Sequence, residues 1–582
     1  MKLPFHISRP RLLILLVVAA GIVFIGRLFD LQIIQHGYYD AKATEEHLAK
    51  FIIPASRGLI YAKDGTSNGV VPLVLNEPAY TVYADPRYVQ DVGKTADMLR
   101  QIAGGELVGN IETSLGDKQH EYVVLARQIS SDQQKLLKNA HLPGVGFQEL
   151  QRRVYPEGNL GAQLLGYVDA DGDGQYGIEQ TLNDQLAGKP GMLKAITDVN
   201  GIPLSIDQHN VETPAQNGKN LVLTIDRNIQ TYAETALKNG LDKVQAKHGS
   251  ILVMDPNTGA VLAMANLPTY DPSQYFNVTD YSVFSNAVVS DPYEAGSVIK
   301  SLTMAAGLNE GVVKPSTTYN NTGSVTVDGV AIHNAVSALG TRTMTEVFKY
   351  SLNTGAVYVL QQLGGGSMNR QARDKLFSYF SGRYMFGKPT GIEQTPESPG
   401  VIIGPEDAQG NNVRYANMSF GQGLDTTMIQ VASAFSAAVN GGIYYQPHLV
   451  DGVLDANNTL TGQTQPHIVE SEVIKPSASS DLRAMLHDAR TESFPGADKP
   501  GYFIGGKTGT SQTIDPKTGQ YSDTNAIGTY LGFGGNGNAA PRYVIMVRIM
   551  DAKVTGYAGS VAVEPVFADM SNWMLDYLKI QP

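Results

Sequence analysis

The sequence predicts an α+β protein with a single membrane helix at its start, and two patterns carry this prediction. An unbroken run of apolar and small residues from Leu12 to Gly26 predicts the helix. Strand patterns occur between 221 and 265 and again between 502 and 549, and helical patterns dominate much of the chain between them. A sheet whose strands come from both ends of one domain, with helices in between, is an α+β arrangement.

Composition and charge narrow the classes of function. A chain of 582 residues is too long for one ordinary core, so we expect about two to four domains. The net charge of -11, with no basic block to offset it, argues against nucleic-acid binding. The absence of cysteine excludes disulfides, cysteine nucleophiles and thiolate metal sites, and the 11 histidines show no metal-ligand spacing. We therefore expect no metal site and no cofactor.

The charges around the apolar run predict its orientation. Arg11 and Arg27 bracket the run, which is shorter than the about 20 residues of a typical span, but both side chains can snorkel. A span over 11–31 follows a tail at 1–10, whose basic residues predict a cytoplasmic N-terminus and an extracytoplasmic remainder. An Ala-Ala-Gly sequence at 19–21 leaves a cleaved signal peptide as the alternative, although the apolar run continues past it.

The chain after the membrane helix divides at a predicted linker, Thr213 to Lys219, which is polar and contains Pro and Gly. We expect one domain over 32–215 and a second over 216–582. The elements predicted for the first domain are strands at 57–61, 70–74 and 79–83 and helices at 91–102 and 132–139.

The second domain begins with a clearer pattern. Asp226 ends a predicted strand and is a good N-cap for the helix that follows. The turn sequence 255–259 joins two predicted strands into a hairpin. The elements predicted here are strands at 221–225, 250–254 and 260–265, a helix at 228–241, further helices to about 440, and strands at 502–504, 529–532 and 543–549.

A candidate nucleophile lies in Ser297-Val298-Ile299-Lys300, at the start of a predicted helix. Residues three apart on a helix share a face, so Lys300 is predicted to lie beside Ser297. A serine hydroxyl needs a base to take its proton, and a lysine serves if burial or a nearby cation lowers its pKa. A Ser-x-x-Lys alone is weak, because such pairs are more often surface residues.

Two further motifs strengthen the candidate. Ser351-Leu352-Asn353 and Lys507-Thr508-Gly509-Thr510 follow in the order of the active-site set of penicillin-binding proteins and serine β-lactamases. We expect Ser351 to relay a proton between Lys300 and the leaving amine, and Asn353 to hold a peptide group of the substrate.

The Lys-Thr-Gly-Thr segment is expected to bind substrate as well. Lys507 supplies positive potential toward Ser351 and a substrate carboxylate, and the hydroxyls of Thr508 and Thr510 bind that carboxylate. Gly509 lets the strand backbone approach the substrate closely. The predicted catalytic residues are thus Ser297, Lys300, Ser351, Asn353 and Lys507, and the predicted substrate-binding residues are Thr508, Gly509 and Thr510.

Several competing motifs are interpreted as structural. Ser367-Met368-Asn369 follows three glycines and suits a helix end, and Lys517-Thr518-Gly519 lies in a polar loop. The Gly-x-Ser-x-Gly sequence at 65–69 precedes a strand rather than the helix that a hydrolase elbow needs. Glu179 begins a motif that resembles the deacylating Glu motif of some β-lactamases, but it precedes the nucleophile instead of following it, so we reject that role. The run from Asp169 starts like an EF-hand loop but has glutamine instead of glutamate at the twelfth position, so we interpret it as a solvated acidic turn.

Over nearly its whole length the sequence resembles the class B penicillin-binding proteins. Two departures from the family pattern are Ala295, where the family usually has proline, and Ala62, which replaces an acid. The segments that carry the resemblance, besides the catalytic motifs, are 223–226, 254–259, 293–297, 420–423 and 440–442 in the second domain, and Arg57-Gly58, Tyr155-Pro156, 166–168 and 177–179 in the first.

The resemblance implies an elongated mixed pedestal domain over 32–215 and a penicillin-binding transpeptidase domain over 216–582, with an antiparallel sheet flanked by helices. It implies that Ser297 attacks the penultimate D-alanine of a peptidoglycan stem peptide, with the backbone N–H groups of Ser297 and Thr510 as the oxyanion hole. β-Lactams would be inhibitors. The implied partners are a SEDS-type glycosyltransferase and division proteins.

The third position of Ser351-Leu352-Asn353 favours the division (septal) type over the elongation type, which tends to carry aspartate there. Three alternatives remain: a D,D-carboxypeptidase or β-lactamase, a β-lactam sensor, and a scaffold with a vestigial site. The first usually lacks a pedestal, a sensor usually has further membrane helices, and a scaffold would be expected to have lost motif residues.

Overall fold

The structure is a computed structural model that describes residues 8–65, 69–196, 211–514 and 521–582. The chain divides into two compact units. The first consists of Met1–Ser56 with Gly188–Gly218, and the second of Arg57–Ala187 with Lys219–Pro582. The domain boundary predicted between 215 and 216 stays a prediction.

The first unit begins with the apolar helix, Arg9–Phe29, in which no residue is buried. Pro10 lies in its first turn, where the missing N–H costs nothing. Within the described residues, Arg9–Ile34 is the one helix long and apolar enough to cross a membrane. The rest of this unit comprises a π-helical turn, Asp30–Ile34, a helix, His36–His47, and an antiparallel sheet of Leu48–Ile53, Gly191–Ile196 and Val211–Thr213.

The second unit contains a mixed sheet that joins both predicted domains. Strand Asn220–Asp226 pairs parallel with Ile60–Lys63 and antiparallel with Val450–Leu454. Strand Val70–Ala84 is continuous where the sequence predicted two short strands, because its start pairs with Ile60–Lys63 and its remainder with Val145–Val154. The strands, in the order in which they pair, are Leu460–Thr461, Val450–Leu454, Asn220–Asp226, Ile60–Lys63, Val70–Ala84 and Val123–Ser130, with Val145–Val154 also on Val70–Ala84.

Three helices pack against the strands Val70–Ala84 and Val123–Ser130 of this sheet. Their apolar residues pack with Val82 and Leu125 of the strands in a separate core cluster. Asp91 caps the first helix and Ser130 forms a capping box with Gln133 at the third, as these residue types predict. The helices are Val92–Ala103, Ile111–Gly116 and Ser131–Asn139.

A buried ionic cluster holds this region together. Glu179 is fully buried, and its carboxylate accepts hydrogen bonds from Arg57 Nε at 2.7 Å and from Arg153 Nε at 2.9 Å. Asn183 and Asn76 accept further hydrogen bonds from the two guanidiniums. Glu179 is therefore a structural carboxylate.

The second sheet is antiparallel and takes its strands from both ends of the later part of the chain. In strand His248–Met254, Ile251 and Val253 belong to one core cluster and Leu252 and Met254 to another, because successive side chains point to opposite faces. In pairing order the strands are Val261–Leu267, His248–Met254, Tyr543–Met550, Tyr521–Gly535 and Phe503–Ile514.

Helices flank both faces of this sheet. Arg227–Lys243 and Glu564–Tyr577 share the core of one face, and the Asp226 carboxylate caps the first of them, as predicted. On the other face lie Lys300–Asn309, Met428–Val439 and a third helix, Pro476–Ser493, which we call the rear helix. This arrangement confirms the predicted α+β fold class.

The sequence predicted that helices dominate between the hairpin and about 440, and it did not predict four short strands in this region. They form two antiparallel pairs, Thr318–Asn321 with Gly340–Thr343 and Ser324–Val327 with Val330–His333. The remaining α-helices are Ala162–Leu165, Gly177–Thr181, Asn183–Leu186, Ala287–Ser290, Met344–Lys349, Asn353–Leu363, Arg370–Phe377 and Asn412–Met418. The remaining strand pairs are Tyr167–Val168 with Gly174–Gln175 and Tyr444–Tyr445 with Ile468–Glu470.

Candidate active site

The nucleophile candidate lies in a single 3-10 turn, Gly296–Ile299, which leads directly into helix Lys300–Asn309. We call Gly296–Ile299 the Ser297 turn. Gly296 has a positive φ of +65°, and a Cβ there would lie 2.9 Å from the carbonyl oxygen of Thr510. Only glycine fits both conditions without strain. The turn is thereby held against the strand Phe503–Ile514, which we call the Lys507 strand.

Lys300 contacts Ser297 and is almost completely buried. Its Nζ atom lies 2.9 Å from Ser297 Oγ, and only 1% of the residue is exposed. Burial, and after it the nearby charge of Lys507, holds the pKa of Lys300 well below its usual value. A neutral amine at this distance is positioned to accept the Ser297 proton.

Ser351 lies in the turn between helices Met344–Lys349 and Asn353–Leu363. Its φ is +54°, which is unfavourable for a residue with a side chain. The Lys300 amine holds this turn through the Ser351 carbonyl oxygen at 2.6 Å and lies 3.2 Å from its Oγ. The strained turn thus places the Ser351 hydroxyl beside the Ser297–Lys300 pair.

Lys507 contacts Ser351 from the sheet. It pairs in register with Leu531 in the middle of the Lys507 strand, and only 3% of it is exposed. Its Nζ atom lies 3.0 Å from Ser351 Oγ and donates to the Thr508 carbonyl oxygen at 3.0 Å. Burial lowers the pKa of Lys507 to about 7.

The residues after Lys507 form the wall beside the Ser297 turn. A Cβ on Gly509 would lie 2.7 Å from the Ala295 carbonyl oxygen, so this position also requires glycine. Thr510 Oγ1 accepts a hydrogen bond from the Gly559 N–H at 3.2 Å, and Thr508 Oγ1 lies 3.1 Å from Lys507 Nζ.

Asn353 is the first residue of its helix and lines the same cleft. Its side-chain amide donates to the His333 carbonyl oxygen at 2.9 Å, which leaves its own oxygen as an acceptor. Behind it, Thr354 hydrogen-bonds Asn334 and Asn321. Sequence reasoning missed this supporting network, because Asn321 and Asn334 belong to none of the motifs.

The structure therefore brings together all the residues predicted for the site. All of them except Lys300 and Gly509 line a cleft of about 520 Å³. Its charged lining residues in the described part of the chain are all basic: Lys349, Arg490 and Lys507. Other lining residues had no sequence motif to reveal them, namely Ala335, Val336, Ser337, Tyr350, Tyr557 and Ser560.

The competing motifs lie apart from the cleft lining or outside the described residues. Asn369 of the second Ser-x-Asn caps helix Arg370–Phe377 through the Ala372 N–H. Asp169 accepts from the backbone of 171 and 173 in an exposed turn. Lys517 and the central residues of the 65–69 sequence lie outside the described residues, so those two interpretations stay predictions.

In this site a serine contacts a buried lysine, and a second serine links that lysine to another buried lysine on a sheet strand. This is the arrangement of the penicillin-recognising serine acyltransferases. Comparison with known proteins agrees with that class. Residues 249–572 match the penicillin-binding protein transpeptidase domain, and residues 52–223 match the penicillin-binding protein dimerisation domain. The chain belongs to the class B penicillin-binding proteins.

Individual relatives cover most of the chain. Stage V sporulation protein D of Bacillus subtilis is 32% identical over 90% of this chain and 79% of its own. Peptidoglycan D,D-transpeptidase FtsI of Escherichia coli is 28% identical over 96% of this chain and 90% of its own.

Solved structures agree with these matches. Penicillin-binding protein 2X of Streptococcus thermophilus gives a TM-score of 0.70 at 25% identity, over 91% of this chain and 80% of that one. Penicillin-binding protein 3 of Mycobacterium tuberculosis, complexed with aztreonam, gives 0.67 at 25% identity, over 91% and 98%. The predicted family and fold are confirmed, and the exposed N-terminal helix is long and apolar enough to serve as a membrane anchor.

Proposed function

We propose that this protein is a septal peptidoglycan D,D-transpeptidase that cross-links stem peptides through an acyl-enzyme on Ser297. The observation that carries the proposal is the unbroken series of contacts from Ser297 through Lys300 and Ser351 to Lys507. The name of the Escherichia coli relative, peptidoglycan D,D-transpeptidase FtsI, supports the reaction, and the sequence Ser351-Leu352-Asn353 supports the septal type.

In the acylation step, Ser297 Oγ attacks the carbonyl carbon of the penultimate D-alanine while its proton passes to the neutral Lys300 amine. The backbone N–H groups of Ser297 and Thr510 stabilise the oxyanion. The amide C–N bond then breaks, and the proton passes from Lys300 through Ser351 to the nitrogen of the departing D-alanine. The products are a Ser297 ester and free D-alanine.

In the transfer step, an amine of a neighbouring stem peptide attacks the ester carbonyl. The C–Oγ bond breaks, the amine proton returns through Ser351 and Lys300 to Ser297 Oγ, and a new amide is formed. The low pKa of Lys300 serves both steps, because the same amine must accept and then release a proton.

Substrate recognition is assigned to the groups around the nucleophile. Asn353 holds a peptide group of the stem, Thr508 and Thr510 bind the terminal carboxylate, and Lys507 supplies the positive charge. β-Lactams that mimic D-Ala-D-Ala acylate the same serine. The complexes of the Mycobacterium tuberculosis relative with aztreonam and ampicillin support this assignment.

We also propose the topology and the assembly. Residues 1–10 lie in the cytoplasm, residues 11–31 span the membrane, and the pedestal (32–215) and transpeptidase domain (216–582) lie outside. The basic residues before the span support this orientation. A SEDS-type glycosyltransferase is the proposed partner. Protease added to intact spheroplasts should digest the bulk of the chain, and full protection would contradict the orientation.

A reaction with synthetic peptides tests the enzymatic proposal. The purified protein is incubated with a donor ending in D-Ala-D-Ala and an acceptor peptide that carries a free amine. We expect a cross-linked product and one D-alanine released for each link. Release of D-alanine without any cross-link would identify a carboxypeptidase, and no release at all would favour a sensor or a scaffold.

A further inference from the structure

The cleft continues along the Lys507 strand, away from the nucleophile. The Ser297 turn lies against Thr510, because a Cβ on Gly296 would touch the Thr510 backbone. The rear helix lies against Gly505, where a Cβ would be 3.1 Å from His487 N. Gly505 and His487 lie just beyond the cleft, whose lining on this strand reaches Gly506. A strand advances about 3.3 Å per residue, so Gly506 and Thr510 lie roughly 13 Å apart.

This distant region of the cleft is lined by residues of the rear helix and of the helix before Ser351, and we call it the far end. Its lining residues are Phe348, Lys349, Ala489, Arg490, Ser493 and Phe494. None of them belongs to the three catalytic motifs, so the proposed chemistry leaves the far end without a role.

Lys349 is the partly exposed cation of the far end. Its side chain is 30% exposed, and its Nζ atom lies 2.5 Å from a carboxylate oxygen of Glu492, whose side chain is 57% exposed. The other cation nearby, Arg490, is fully buried and held by both oxygens of Asp498 at 2.6 and 2.7 Å. Arg490 therefore has little capacity for a ligand, whereas Lys349 has an exposed partner that a ligand can replace.

The charges of the lining predict an anionic ligand. Among the described residues that line the cleft there is no aspartate or glutamate, although the chain as a whole has a net charge of -11. An exposed ion pair such as Lys349–Glu492 contributes little, because water screens it. A carboxylate that enters the cleft can therefore take the place of Glu492 at small cost.

The position of the far end indicates which substrate brings this carboxylate. In the proposed function, Thr508 and Thr510 bind the terminal carboxylate of the departing D-alanine and Lys507 supplies the positive charge, so this carboxylate lies on the Lys507 strand beside Ser297. The acceptor amine must occupy the place that the D-alanine nitrogen leaves, because both bond to the same carbonyl carbon. The body of the acceptor then extends along the Lys507 strand toward Lys349.

We propose that the far end of the cleft is the acyl-acceptor subsite and that Lys349 binds a carboxylate of the acceptor stem peptide. This inference rests on the proposed function and adds a substrate preference to it. Lys349 takes no part in bond making: the acceptor nitrogen forms the amide, the Ser297 ester bond breaks, and the amine proton goes to Ser297 Oγ. Lys349 is a specificity-determining residue, and Glu492 competes with the substrate for it.

The test compares two acceptor peptides that differ only in a carboxylate or a carboxamide on the residue next to the amine. A thioester donor forms the acyl-enzyme, and the ratio of cross-linked to hydrolysed product is measured for each acceptor. We expect the wild type to prefer the carboxylate by about fivefold, the upper range for a partly exposed ion pair.

Variants of the ion pair should change this preference in opposite directions. Lys349→Gln should abolish it, Lys349→Arg should keep it, and Glu492→Gln should increase it by removing the competitor. Lys375→Gln is the matched control, because Lys375 pairs with Glu310 at 2.6 Å and does not line the cleft. A merely structural role of Lys349 would not produce the increase in Glu492→Gln.

Two results would overturn the inference alone: a wild type that forms the acyl-enzyme but shows no preference, or a Lys349→Gln variant that keeps the preference. If the thioester donor places no acyl group on Ser297, the proposed function fails, and the acceptor subsite fails with it. The melting temperature of each variant confirms that it has folded.

Discussion

The Nζ atom of Lys507 lies 3.0 Å from the Oγ atom of Ser351, so a sheet strand and a helical turn far apart in the sequence meet at one hydroxyl. Lys300 reaches the same hydroxyl at 3.2 Å. Two buried amines that share one partner repel each other when both are charged. This repulsion favours the state in which only one of the two amines is protonated. The proposed mechanism uses this relationship by taking Lys300 as the base and Lys507 as the cation.

The pH dependence of acylation should be bell-shaped. Acylation needs Lys300 without its proton, so the rate rises with pH as Lys300 deprotonates, and burial, which lowers the pKa of Lys300, makes this happen at a lower pH. It needs Lys507 with its proton, so the rate falls as pH rises through the pKa of Lys507, about 7. The second-order rate constant for a chromogenic β-lactam, measured on the free enzyme across pH, reports both groups.

The variant Lys507→Arg assigns the alkaline limb of that profile. A guanidinium keeps its proton at every accessible pH, so the limb should move to a higher pH even if the maximal rate is lower. An alkaline limb that stays where it is in the wild type would show that another group controls it.

The two Lys-Thr-Gly motifs should behave differently. Lys507→Ala should slow penicillin labelling by about 100-fold to 1,000-fold, the usual effect of removing one electrostatic group from an active site. Lys517→Ala should label like the wild type, because we interpret that motif as a loop. The measurement is the rate of fluorescent penicillin incorporation, and the reverse pattern would mean that the second motif is the functional one.

Gly509 should be required for the geometry of the Ser297 turn. In Gly509→Ala the new Cβ would lie 2.7 Å from the Ala295 carbonyl oxygen, which forces the turn away from the strand. A displacement of about 1 Å can cost about 100-fold in rate, so acylation should fall by roughly 10-fold to 100-fold. The control is Gly382→Ala, where a Cβ meets no atom within 4 Å. Equal rates in the two variants would contradict the close approach.

Glu179 should be important for stability rather than for chemistry. Removing one partner from a buried ionic cluster costs about 3 to 5 kcal/mol, so Glu179→Gln should lower the free energy of unfolding by about that amount. Glu157→Gln, which breaks an exposed pair with Arg227 at 2.9 Å, should cost less than about 1 kcal/mol. Urea denaturation of both variants checks this, and similar losses would show that burial of the cluster matters little.

For the antiparallel sheet that contains the Lys507 strand, the sequence predicted the order of the elements correctly but not the length of each strand. The Asp226 cap and the hairpin at 250–265 depend on local residue types and were correct. The Lys507 strand is longer than predicted, because its glycines and threonines carry no strand pattern and the register with Tyr521–Gly535 sets its extent. The polar pair Ser324–Val327 and Val330–His333 was missed for the same reason.

The site was only partly predictable from spacing. Lys300 lies three positions after Ser297, so local geometry alone predicts their contact. The meeting of Ser351 with Lys507 depends on tertiary packing and was expected only from the order of the motifs. Tyr557 and Ser560 belong to no motif, and nothing in the sequence placed them in the cleft. The catalytic roles of the predicted residues remain predictions.

The most direct test of the account is to locate the acyl group. The protein is saturated with a penicillin and digested with a protease, and the modified peptide is sequenced by mass spectrometry. The account predicts that the mass of one penicillin lies on Ser297 and that Ser297→Ala takes up none, while Ser367→Ala, in the second Ser-x-Asn, is labelled like the wild type. An acyl group on any other residue, or normal labelling of Ser297→Ala, would contradict it.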